Sequence, residues 1–88
     1  MARRKLPENL EEIVHAIAWS NARLQSAQGI EKPSLLRVEL ARLGRANEKM
    51  REVIGEAFDG LPEALKLEVR VVEMGFNKLD QKLKTRKP

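Results

Sequence analysis

Residues 34–58 read SLLRVELARLGRANEKMREVIGEAF, and the spacing of their apolar positions decides the fold. Leu36, Leu40, Leu43, Asn47, Met50, Ile54 and Ala57 follow one another at alternating steps of four and three residues. That step keeps a single stripe on one side of an α-helix, as in the seam of a bundle or coiled coil. A strand would need alternation with a period of two, and the stretch shows none. Gly44 and Gly55 fall inside the pattern, each at a cost of up to about 1 kcal/mol against alanine. The pattern passes through Gly44 without a phase shift, which argues for one long helix over a helix-turn-helix break there.

The same reading extends outward in both directions. Upstream, Leu10, Val14, Ile17, Asn21 and Leu24 form a comparable stripe; downstream, Leu65, Val69, Val72, Phe76, Leu79 and Leu83 form a third. Pro7 suits a first helical turn, with Glu8, Glu11 and Glu12 favourable near its positive end. Gly29 and then Pro33 separate the first two helices, Asp59-Gly60 breaks the second, and Pro62 opens the third. The expectation is an all-α, three-helix up-down-up bundle with coiled-coil-like heptad seams. Its helices should span about 7–28, 34–58 and 62–83, flanked by basic tails at 1–6 and 84–88. A hairpin of the first two helices would turn near residue 31. Asn21 and Asn47, polar members of apolar seams, would then not face each other. Each must bond backbone, water or a copy of itself, or sit at a partly exposed seam edge.

Eighty-eight residues make one domain,. A chain of this size buries only about 60–65 % of its unfolded surface, so oligomerisation would add useful burial. It has no cysteine, hence no disulfide and no thiolate metal site,. No apolar run approaches the roughly 20 residues that span a bilayer, and Pro7–Glu12 stands where a signal peptide would place its apolar segment. The expected location is the cytoplasm.

The formal net charge of +4 comes from the ends. Residues 1–5 carry Arg3, Arg4 and Lys5, and residues 82–88 carry Lys82, Lys84, Arg86 and Lys87. The body between them is slightly acidic. The tails, with Arg42, Arg45 and Lys49 on the second helix, could meet phosphates in a salt-dependent, sequence-independent way. Against this, Glu39, Glu48, Glu52 and Glu56 interleave with the helix-two cations, and Glu39–Arg42, Arg45–Glu48 and Lys49–Glu52 are i, i+3 pairs, the pattern of an ordinary solvated face,. One tryptophan, two phenylalanines and no tyrosine do not make a base-stacking platform,.

No catalytic, cofactor or metal motif is present. There is no Gly-rich phosphate loop, no HExxH and no cysteine nucleophile. Ser20, Ser26 and Ser34 have only His15 as a base and no third member. One imidazole beside Glu11 and Glu12 is not a metal site.

Two apolar faces exceed what one small core requires. Leu67, Val71 and Met74 stand at i, i+4 and i+7 on the third helix, nearly opposite its seam. Such a helix is either sandwiched within the chain or covers a second subunit. His15, Trp19 and Arg23 stand at i, i+4 and i+8 on the first helix, with Trp19 about 180° from its seam. Tryptophan and arginine are the residue types most enriched at binding hot spots; the ring could equally cover a loop, a tail or an oligomer core. The functional expectation is a non-catalytic interaction module, a homodimeric accessory, adaptor or regulatory protein. Leu67, Val71 and Met74 form the oligomer interface, and His15, Trp19 and Arg23 bind a protein partner. The competing expectation is a nucleic-acid accessory protein acting through the tails and the helix-two cations.

Overall fold

The computed structural model describes residues 7–85. Three helices make up this span: α1 (Leu10–Gln28), α2 (Pro33–Ile54) and α3 (Glu63–Thr85), with a 3₁₀ segment at Gly55–Gly60 between the last two. Among the described residues there is no strand.

Each terminus has a local cause. α1 starts at Leu10, later than Pro7 implies, and the Asn9 side chain before it makes no capping hydrogen bond. Its amide instead donates to the Val53 carbonyl at 2.9 Å, tying the start of α1 to the end of α2. Pro33 occupies the first turn of α2 after Lys32, which is extended. At the other end α2 stops at Ile54, not Phe58. Gly55 takes φ +55° and ψ −128°, the mirror image of the extended region, which side chains of L configuration rarely adopt,. The chain then tightens into the 3₁₀ segment before Leu61, which is fully buried. Pro62 accepts from both Leu65 and Lys66 to begin α3. α3 runs two residues past Leu83, so Lys84 belongs to its last turn, where it pairs with Asp80 at 3.1 Å.

The helices alternate in direction. Asn9 meets Val53 and Arg23 meets Glu39, both pairs centred on residue 31, so α1 and α2 are antiparallel neighbours. Asn47 donates to the Val72 carbonyl, and Gly44 lies against Phe76, so α3 runs antiparallel to α2. One core joins them, built from Ile13, Ile17 and Leu24 of α1, Leu40, Leu43, Met50 and Ile54 of α2, Leu61, and Val69 and Val72 of α3. The second and third stripes keep the phase read from the sequence, with Leu65, Phe76, Leu79 and Leu83 half-buried against this core.

The first stripe is rotated. Its buried positions are Ile13, Ile17, Ser20, Leu24 and Ala27, whereas Val14 is 42 % exposed. Asn21 is half-buried and accepts from Gln25 at 3.0 Å, so it is not a seam residue. Leu10, Ile17 and Leu24 are common to both readings, but the intervening positions are filled by Ile13 and Ser20 instead of Val14 and Asn21. The small residues let α3 approach. A methyl group on Gly75 would lie 2.6 Å from Leu24 Cδ1 and 2.8 Å from Cδ2. Leu24 is buried in the core, so its side chain can move aside only by disturbing its neighbours,. Gly75→Ala is therefore expected to lower stability by about 1 kcal/mol, overpacking outweighing the gain in helix propensity. In a Leu24→Ala background the same change should become stabilising. A denaturant-unfolding double-mutant cycle measures the sign reversal.

Candidate interaction surface

The third helix carries two faces. Val69 and Val72 are fully buried in the core. On the other side Leu67 is 62 % exposed, Val71 47 % and Met74 60 %. α3 is thus not sandwiched within the chain, and these three side chains have no cover among the described residues. Met74 borders a shallow hollow of about 320 Å³ shared with Asn77, Lys78 and Gln81. A row of large apolar side chains left in water gives up the burial each would gain in a contact, about 25 cal/mol per Å².

The Trp19 face is organised differently. Trp19 is 58 % exposed. The Arg23 guanidinium stacks over its ring, 4.8 Å from the centroid, and lies 3.9 Å from Glu39 on α2. Glu39 also accepts from Arg42 at 2.9 Å. Trp19, Arg23, Glu39 and Arg42 therefore form one chain of contacts across the outside of α1 and α2. Arg23 is already engaged within the molecule, with the ring on one side and Glu39 on the other. His15 is exposed on α1, whereas the Ser20 hydroxyl is fully buried without a hydrogen-bond partner. The two residues are on different sides of the helix. Ser26 and Ser34 are exposed.

The described cations lie on two helices. Arg42 is bound to Glu39, and Arg45 and Lys49 are exposed on the outer side of α2. Lys82 is exposed on α3 and Lys84 is paired. Arg3, Arg4, Lys5, Arg86 and Lys87 lie outside the described residues.

Several features were not singled out from the sequence. Leu35 and Val38 are exposed apolar residues on α2, and Glu39 bridges Arg23 of α1 and Arg42 of α2. A groove between α2 and α3 is lined by Gly44, Asn47, Glu48, Arg51, Glu73 and Phe76. Across it Arg51 and Glu73 pair through two hydrogen bonds of 2.6 and 2.9 Å. This contact raises the Arg51 pKa above its ordinary value, chiefly through the hydrogen bond. Arg51 also stacks on Phe58, 4.8 Å from the ring centroid, bracing the 3₁₀ segment. The periodic charge pattern of α2 marks Arg51 as an outward residue but does not identify its partner, which is 22 positions away.

Among the described residues no three histidine or acidic side chains converge as a metal site, and no helix is long and apolar enough to cross a membrane. The chain matches no protein-family model, and none of the curated proteins or solved structures compared with it is similar.

Proposed function

We propose that this protein is a non-catalytic helical interaction module that works as a cytoplasmic homodimer, an accessory, adaptor or regulatory protein. Its subunits associate through the outer face of α3. The observation that carries the reading is the exposure of Leu67, Val71 and Met74 on a helix whose opposite face already supplies the core. A three-helix unit needs one apolar face per helix. The second face on α3 is therefore surplus to folding, and association is the use that recovers its burial. The His15/Trp19/Arg23 face is assigned to a protein partner. Its large exposed ring and the Arg23 stacked on it are the residue types most enriched at binding hot spots,.

Sedimentation velocity over a range of concentrations tests the dimer. The wild-type chain should sediment as a dimer at high concentration, and Val71→Asp should sediment as a monomer with unchanged helical circular dichroism. A wild-type monomer at high concentration would reject the reading. The duplex-binding reading has Arg42 committed to Glu39 and depends on Arg45, Lys49 and the tails. It requires an affinity for generic duplex that falls steeply with salt, and a flat salt response excludes it.

A further inference from the structure

On the basis of the dimer reading above, we infer that two copies of the chain pair through α3 in antiparallel orientation, with the two-fold axis passing beside Val71. The exposed side of α3 runs Ala64, Leu67, Val71, Met74, Lys78, at steps of three, four, three and four residues. Ala64 and Lys78 each stand seven residues from Val71, and Leu67 and Met74 stand four and three residues from it. The row therefore reads nearly the same in either direction, which is what a self-complementary two-fold contact requires. Antiparallel pairing sets Val71 against Val71 and Leu67 against Met74. It also brings Leu67 of one copy to the level of the hollow bordered by Met74, Asn77, Lys78 and Gln81 in the other.

Charge chooses the direction. Beside the apolar row, the first half of α3 carries Glu63 and Glu68, and the second half carries Lys78 and Lys82. Two other cations lie in this half: Lys66 is turned toward Phe58, within 6.0 Å of the ring centroid, and Arg70 is exposed beside Val71, next to the axis, where it meets its own copy in either orientation and leaves the choice to the charges farther out. In the antiparallel pair Lys78 of one copy stands within one residue of the level of Glu63 of the other, and Lys82 lies just beyond it. In a parallel pair Glu63, Glu68, Lys78 and Lys82 would each face themselves. Like charges set opposite one another disfavour a pairing, and unlike charges fix its register.

The absence of cysteine allows a clean test in the full-length chain. Leu67→Cys, Val71→Cys and Met74→Cys are made separately and oxidised mildly, alone and as an equimolar mixture of the first and third. Disulfide formation needs Cα atoms within about 7 Å. In the antiparallel pair two copies of position 67 are about 12 Å apart along the helix axis, and two copies of position 74 about 9 Å, at 1.5 Å per residue. Val71→Cys should therefore form a covalent dimer, and so should the mixture, as the 67–74 heterodimer identified by mass. Leu67→Cys and Met74→Cys alone should remain largely monomeric on a non-reducing gel. Cross-linking of each single variant as readily as the mixture would overturn the inference in favour of a parallel pair. Absence of all cross-links in a chain that still sediments as a dimer would overturn it in favour of another face. A chain that sediments as a monomer would reject the dimer reading itself and this inference with it.

Discussion

Ile13→Ala is expected to lower the unfolding free energy by about 3 kcal/mol, whereas Val14→Ala next to it should cost less than about 1 kcal/mol. Ile13 is fully buried in the core shared by all three helices. Truncating it removes three methyl or methylene carbons and leaves a cavity that surrounding side chains fill only in part. Val14 is 42 % exposed, so much of the surface lost in the same truncation was already in water. Small domains are stable by on the order of 5–10 kcal/mol, so the first variant should lose a large share of its stability. Urea unfolding of the two variants measures both values. A larger cost for Val14→Ala than for Ile13→Ala would mean that α1 faces the core at the phase read from the sequence, with Val14 and Asn21 inward.

Gly55→Val should cost on the order of 2 kcal/mol, and the cause is the backbone alone. Nothing lies within 4 Å of the position a Cβ would occupy, so steric crowding against other residues does not contribute. What forbids the side chain is the φ of +55° that turns the chain out of α2,. A β-branched residue is least able to adopt it. A D-alanine at position 55, introduced by chemical synthesis, inverts the sign. For that residue φ +55° and ψ −128° is the ordinary extended region, and restricting the unfolded chain should stabilise by up to about 1 kcal/mol,. Thermal unfolding of the synthetic chains compares the two.

These two positions also show where the sequence was legible. The stripe of α2 was readable because most of its members are large: Leu36, Leu40, Leu43, Met50 and Ile54 leave one choice of phase. In α1 two stripes at the same spacing share Leu10, Ile17 and Leu24. Val14 favoured one and Ile13 the other, while Ser20 and Ala27, which carry little hydropathy, added little to the second. Packing resolved the tie by burying Ile13 and Ser20 among the three helices and leaving Val14 outside. Pattern along one helix does not contain that packing. The end of α2 was misplaced for a related reason. Gly55 fits the heptad count, and only its backbone angle, set by the return toward Leu61, ends the helix. The start of α1 depends on the bond from Asn9 to Val53, 44 residues away.

The surplus faces were more legible than the details around them. Leu67, Val71 and Met74 follow from helical geometry alone, because residues opposite a seam point away from it. Trp19 was placed outward by the same argument and remains outward in either phase of α1. The chain of contacts from that ring through Arg23 and Glu39 to Arg42 depends on two helices meeting in one register, and no periodicity within α1 implies it.

The account rests on the outer face of α3 being open in the single chain and covered when copies associate. Methyl NMR with a soluble paramagnetic agent reads this directly, through the signals of Leu67, Val71 and Met74 at low and high protein concentration. The account predicts that these methyls are strongly broadened in dilute solution and protected in concentrated solution, while the Trp19 indole stays accessible in both. Equal broadening of the three methyls at all concentrations would contradict it.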